Sequence, residues 1–240
     1  TWREFVPSNY DPSKKYPLVV SLHGGASHKA PIRFAWAYIA EREGFLVLYP
    51  QCLREGVTWN VWSDYGREDG IPDDIRYIDE LIAQMKEKYS VDEERIYIQG
   101  QSMGDMMTTT YILERGNIFA AAAPLSGPTG PSRFLDDEGN IKYGPKYRLP
   151  VIRTHGSEDL SIPLGKRKLS GNAAIANNHV TPPDVRRSKM EVHQLVNMYI
   201  WRMKNGCEKL PKLSVRGRYN VVSYPQDEGY DFIYYIVEGG

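Results

Sequence analysis

Short, continuous apolar runs alternate along this chain with longer segments that are apolar on one face only. Leu18-Val19-Val20-Ser21-Leu22, Phe45-Leu46-Val47-Leu48-Tyr49, Arg95-Ile96-Tyr97-Ile98-Gln99, Phe119 to Leu125 and Val151 to Thr154 have strand length. Runs without polar alternation belong to strands covered on both faces, as in a parallel sheet. Residues 73–89 instead place Ile75, Ile78, Leu81, Ile82 and Met85 on one helical face, with Asp73 and Asp74 positioned to cap its start. Met103 to Leu113 and about Lys189 to Lys204 read as further helices, and Trp2 to Val6 as an edge strand. Asn220 to Tyr224 and Asp231 to Val237 read as the last two strands. This alternation predicts the α/β class, a mostly parallel central sheet with helices on both faces. Residues 126–148, rich in Gly, Pro and charge, and the polar stretch 165–188 with Pro182-Pro183 are expected to be surface excursions, not linkers.

Length and charge narrow the function. With 240 residues, 41% apolar and 25% charged, the chain can bury a full core, and a single domain over 1–240 is expected. Thirty basic residues balance thirty acidic ones, so the charge excess expected of a nucleic-acid binder or of a protein drawn to anionic membranes is missing. No apolar run reaches the length of a membrane span. The chain opens on Thr1 without a signal-like segment, which is expected of a processed product or an excised piece. Cys52 and Cys207 could pair or stay free, and free thiols are the preferred reading.

The candidate chemistry centres on Gly100-Gln101-Ser102-Met103-Gly104, placed between a strand-like and a helix-like run. Composition alone would produce GxSxG in about one chain in ten of this length, so the context decides. A serine at a sharp strand-to-helix turn is held strained with its hydroxyl exposed, and side chains two residues to either side would collide. Ser102 is therefore the expected nucleophile. His23-Gly24-Gly25 leaves the strand Leu18 to Leu22. By itself it is equally a tight turn; beside the serine elbow it is expected to supply oxyanion donors, the backbone of Gly25 and Ala26 acting together with Met103 N–H. After Val151 to Thr154 comes His155-Gly156-Ser157-Glu158-Asp159, and Asp159 is the expected orienting acid, with Glu158 its competitor. The base is less clear. His23 and His155 flank glycines in turns, His28 lies in the loop after the first run, His179 precedes Thr181-Pro182-Pro183, and His193 sits inside a helix.

Several of these segments together resemble the polyhydroxybutyrate-depolymerase-like and feruloyl-esterase-like α/β-hydrolases. They are Phe5-Val6-Pro7, Asn9-Tyr10-Asp11-Pro12, Lys15 to Val20, Leu22-His23-Gly24-Gly25, Val91-Asp92 with Arg95-Ile96-Tyr97, the GQSMG elbow, and His155-Gly156 with Asp159 and Pro163. The resemblance implies the α/β-hydrolase fold and a serine carboxylesterase with a catalytic triad of Ser102, Asp159 and a histidine in a glycine-rich segment after the final strand. Val237-Glu238-Gly239-Gly240 looks like the opening of that segment, so the chain is expected to stop just before its base. The expected substrates are feruloyl or acetyl esters of plant polysaccharides, or short-chain esters, and with them goes a secreted or extracytoplasmic place. Asp105 departs from the resemblance, standing where a further glycine is usual; an acidic residue in the first helical turn also suits the helix dipole.

The segment 51–72 carries Trp59, Trp62 and Tyr65. Their rings are either a platform for a sugar or aryl group or pegs that anchor the loop. No histidine pair with a glutamate, no CxxC and no phosphate-binding loop occurs, so neither a metal nor a cofactor is expected. Two rival readings remain: a serine peptidase of the same fold, and a catalytically inert hydrolase-fold module that binds carbohydrate or a partner.

Overall fold

The structure, a computed structural model, describes residues 1–25, 33–53, 59–61, 73–127, 144–160, 162, 200–207 and 211–240, the side chains of residues 33–35 excepted. The chain divides into two compact units, Thr1–Pro124 and Leu125–Gly240.

The first unit is built on β1 (Trp2–Phe5), β2 (Tyr16–Leu22), β3 (Leu46–Pro50), β4 (Val91–Gln101) and β5 (Ala121–Leu125), in the order β1-β3-β2-β4-β5. β2 runs parallel to both β3 and β4, whereas β1 pairs antiparallel with β3 at the edge. Ala120 N–H donates to Ile96 O at 2.8 Å where β5 begins. The central strands bury both faces. Val19, Val47 and Tyr49 pack with Ala40, and Trp36 and Phe45 lie against them, so one face is covered by α1 (Arg33–Glu43). The alternate residues Leu18, Val20, Leu22, Leu46 and Leu48 have no exposure. Burying each such leucine contributes about 1.5–3 kcal/mol.

Helix α2 (Asp74–Lys88) turns Ile75, Ile78, Leu81, Ile82 and Met85 inward, the stripe that the periodicity predicts. Asp73 caps it, its carboxylate accepting Arg76 N–H at 3.1 Å. Helix α3 (Met103–Arg115) packs on β4 and β2 and is buried from Gly104 to Leu113. Its Tyr111 hydroxyl donates to the Asp79 carboxylate of α2, and burial beside that carboxylate pushes the phenol far above its ordinary range.

In the second unit β6 (Val151–Gly156) runs parallel to β9 (Phe232–Val237). β8 (Tyr219–Tyr224) and β7 (Lys212–Arg216) extend that sheet antiparallel, in the order β6-β9-β8-β7. Residues 200–205 are helical, the described end of the helix expected from Lys189; the rest of that segment and the excursion 165–188 lie outside the described residues. Asn205 ties this helix to the chain entering β6: its amide nitrogen donates to Leu149 O at 2.7 Å and its amide oxygen accepts Leu149 N–H at 3.1 Å. Cys52 in the first unit and Cys207 in the second are buried and neither forms a disulfide, in accord with the preferred reading.

Neither α1 nor β7 follows from the periodicity of the sequence. α1 carries Phe34, Ala35, Trp36, Ala37, Tyr38, Ile39 and Ala40 in succession, and so shows no single apolar stripe. β7 is exposed at every residue, with Leu213 and Val215 in the open, and burial leaves no imprint on its sequence.

Asn205→Ala removes both bonds to Leu149 and leaves a buried N–H and C=O without partners. The expected loss is about 2–3 kcal/mol, read as a lower urea midpoint with an unchanged slope.

Candidate active site

β4 runs into α3 through a single residue, Ser102, whose φ of 56° and ψ of −116° lie where non-glycine residues are rare. Such a conformation costs on the order of 1–3 kcal/mol and persists only where the surroundings impose it. They do so here through backbone contact. A Cβ at Gly100 would overlap the Gly104 carbonyl and meet Thr108 Oγ1 at 2.7 Å. One at Gly104 would overlap the Leu22 carbonyl and meet that of His23 at 2.7 Å. The two glycines let the elbow turn back on itself and let α3 begin directly against the end of β2. Met106 N–H donates to Ser102 O at 3.1 Å, so the helix hydrogen-bonding starts from the serine itself.

The loop leaving β2 lies on this elbow. A Cβ at Gly24 would stand 3.3 Å from Gln101 O and 3.5 Å from Ser102 Cβ, and one at Gly25 would stand 3.1 Å from Met103 Cγ. His23-Gly24-Gly25 and the serine elbow are thus neighbours in the folded chain, separated by no more than the room one carbon would fill. Gly25 is exposed and Ser102 half-buried. Ala26, the second expected oxyanion residue, and His28 lie outside the described residues.

His23 holds the loop in shape. Its Nε2 accepts Cys52 N–H at 3.1 Å, which requires a lone pair there, and Nδ1–H therefore donates to Gly24 O at 2.7 Å. Both ring nitrogens of the neutral imidazole are used, and the ring is buried against Trp59 with centroids 4.7 Å apart. Trp59 has no exposure, and its indole N–H donates to His23 O at 2.8 Å. For Trp59 this decides between the two readings of the loop aromatics: it is a peg, and a substrate platform is ruled out by its burial. Trp62 and Tyr65 lie outside the described residues.

Behind this arrangement stands Asp74, whose buried carboxylate accepts Asn60 N–H at 2.7 Å and Leu53 N–H at 3.4 Å. Removal from water pushes its pKa up, the two N–H donors pull it back, and Asp73 adds to the rise. Asp105, in the first turn of α3, is wholly buried and accepts the Thr109 hydroxyl at 3.1 Å, in keeping with a structural role.

In the second unit, the turn after β6 presents Asp159 with its carboxylate fixed and Glu158 exposed. Asp159 Oδ1 accepts Ile162 N–H at 2.9 Å, and its Oδ2 stands 3.7 Å from His155 Nε2. That His155 nitrogen donates to Ile162 O at 2.6 Å, and the ring is buried, which fits the hydrogen-bonding role expected for this histidine. The end of β9 is laced to the same turn. Ser157 N–H donates to Val237 O and Glu158 N–H to Gly240 O, both at 2.8 Å, while Gly239 N–H donates to Ser157 Oγ at 3.0 Å. A Cβ at Gly156 would overlap the Gly240 carbonyl, so this residue is a glycine for closeness of backbones. His179 and His193 lie outside the described residues, and among the described residues no cluster of His, Cys, Asp and Glu is arranged to hold a metal.

Gly100→Ala is expected to destabilise the protein by about 3 kcal/mol or more, because the added carbon meets backbone that cannot yield; thermal unfolding checks it. Asp74 yields a prediction with a sign. Its raised native pKa means the folded protein binds this proton more tightly than the unfolded chain. Its stability contribution is therefore full below its ordinary value of 3.8 and is lost as pH rises through the native value. Asp74→Asn flattens that portion of the stability–pH profile, measured by urea unfolding at a series of pH values.

Comparison with known proteins bears on the family and the fold. The profile of the phospholipase/carboxylesterase family matches residues 59–206. A bifunctional acetylxylan esterase/xylanase of Neocallimastix patriciarum is 32% identical over 159 residues, which cover 65% of this chain and 21% of that protein. A poly(3-hydroxyalkanoate) depolymerase C of Paucimonas lemoignei is 32% identical over 117 residues, 46% of this chain and 28% of the other. The chain thus spans about a fifth to just over a quarter of the length of these relatives. Among solved structures, an acetyl xylan esterase from Aspergillus awamori aligns with a TM-score of 0.60 at 16% identity, over 99% of this chain and 88% of its own. A poly(3-hydroxybutyrate) depolymerase from Bordetella parapertussis aligns with a TM-score of 0.60 at 20% identity, over 100% of this chain and 77% of its own. At such identities the structural likeness speaks for the fold, which is that of the α/β-hydrolases, and the profile match over more than half the residues places the chain in the phospholipase/carboxylesterase family.

Proposed function

We propose that this chain carries the nucleophile of a serine carboxylesterase that removes small acyl groups, acetyl first among them, from plant polysaccharide. The observation that carries the reading is Ser102, held at positive φ between two obligatory glycines, with Gly24 and Gly25 in contact range of the elbow. Ser102 Oγ attacks the ester carbonyl while a histidine takes its proton, and the tetrahedral oxyanion is held by Met103 N–H together with the Gly25-Ala26 backbone. Collapse expels the alcohol, which receives the proton from that histidine; water then repeats the sequence on the acyl-enzyme and releases the acid. Asp159 is assigned to orient the histidine. His23 and His155 are not assigned as the base, since ring nitrogens of each are engaged with backbone partners.

The acyl preference rests on the relatives named acetylxylan esterase, and the poly(3-hydroxyalkanoate) depolymerase keeps short aliphatic esters within the range. A feruloyl group is the second candidate acyl. An extracytoplasmic place of action follows from a polysaccharide substrate.

The test uses the full-length gene product. Ser102→Ala is expected to lower kcat on p-nitrophenyl acetate at least about a thousandfold, and acetate release from acetylated xylan is expected to exceed ferulate release from methyl ferulate. Full activity in Ser102→Ala would sink the reading. Asp159→Asn is expected to cost at least about a hundredfold in kcat, whereas Glu158→Gln leaves it unchanged; the reverse outcome would transfer the orienting role to Glu158.

A further inference from the structure

We propose that Asp74 is a positioning residue for oxyanion stabilisation: it fixes the backbone at Leu53 and at Asn60, whose sequence neighbours Cys52 and Trp59 clamp His23 and thereby set the Gly24-Gly25 backbone against the elbow. The inference rests on the serine-esterase reading and deepens it.

The two oxygens of Asp74 are committed to two different backbone N–H groups. Oδ1 takes Leu53 N–H and Oδ2 takes Asn60 N–H. Adjacent in sequence to those two are the two groups that grip His23. Cys52 N–H donates to the His23 ring, and the Trp59 indole donates to its backbone carbonyl. His23 passes the constraint on, because its other ring nitrogen donates to Gly24 O. Gly24 and Gly25 lie so near the elbow that an added Cβ would touch Gln101 and Ser102 at the first and Met103 at the second. The links of this relay are hydrogen bonds, peptide bonds and close approach within the first unit, and most of its members are buried.

The position of Asp74 supports this division of labour. It is the first residue of α2, yet the capping bond to Arg76 N–H is made by Asp73. Asp74 turns to the loop and is only 2% exposed. A buried carboxylate is costly unless its oxygens are bonded, and two backbone donors satisfy it. An asparagine of the same shape cannot reproduce this, because it offers one acceptor and turns an N–H donor toward the other backbone N–H. Oxyanion donors act only at the atom where charge develops, and displacement of about 1 Å in a site can cost on the order of a hundredfold in rate. Loosening the relay is therefore expected to appear in kcat and not in ground-state binding.

The experiment measures kcat and KM for p-nitrophenyl acetate, and the second-order rate of serine labelling by a fluorophosphonate, in the full-length protein. Asp74→Asn is expected to lower kcat and the labelling rate together by about tenfold to a hundredfold, with KM changed less than about twofold. Asp73→Ser, which keeps a capping oxygen, is expected to leave both rates unchanged. A kcat within twofold of the parent in a folded Asp74→Asn protein overturns the proposal, as does a loss confined to KM. Should Asp74→Asn not fold, Trp59→Phe removes one donor of the same relay while keeping an aromatic ring; a severalfold fall in kcat at constant KM supports the proposal, and an unchanged kcat overturns it. Ser102→Ala run alongside separates the two failures: its retained activity removes the esterase reading itself, whereas its inactivity beside a fully active Asp74→Asn removes only the relay.

Discussion

The close approach of two stretches of backbone at Gly104 governs the first unit. The amino end of α3 comes so near the Leu22 and His23 carbonyls that a single methyl group would not fit. Because β2 and β4 are paired in parallel, their carboxyl ends point the same way. Joining the end of one to a helix that starts beneath the end of the other leaves room for hydrogen atoms only. The strain at Ser102 is a consequence. The turn must reverse within one residue, and the bonds of β4 and α3 on either side supply the free energy that keeps it there.

Polar groups in this unit are placed to hold backbone. His23 spends one nitrogen on Cys52 N–H and the other on Gly24 O, and Asp74 spends its two oxygens on Leu53 and Asn60. Each such group is buried, so leaving any of these bonds unmade carries the desolvation cost of the atom left over. The loop 51–61 is therefore anchored at its described ends by donors and acceptors and by the fully buried Trp59. In the second unit the same economy appears around Asp159, where one carboxylate oxygen, the His155 ring and the backbone of Ile162 close a small cycle, and Val237 to Gly240 lie across it.

Much of the fold could be read from residue order. β2 and β3 are continuous apolar runs because both faces are covered, and α2 shows a clean stripe because only one of its faces is. α1 has no legible stripe because aromatic and alanine residues succeed one another along it, and β7 has none because all its residues are exposed. At the site, Ser102, Met103 and Gly25 could be picked out since glycine spacing around a serine reflects a steric need. Trp59 could not be resolved: an indole that binds a sugar and an indole that plugs a core look alike in a sequence. Asp74 was legible only as a capping residue. Its bonds to Leu53 and Asn60 join positions 21 and 14 residues away, and no local pattern encodes them.

The sequence by itself determined the class of fold, the strand-to-helix turn at Ser102 and the need for glycine at 100 and 104, because each follows from short-range sterics or from the period of apolar residues. Only the tertiary structure decided that His23 is a neutral brace with both nitrogens engaged, that Trp59 faces inward, and that Asp74 serves the loop while Asp73 serves the helix. Those assignments depend on which donors and acceptors are brought within about 3 Å after the sheet has formed, and that is fixed by packing between segments distant in sequence.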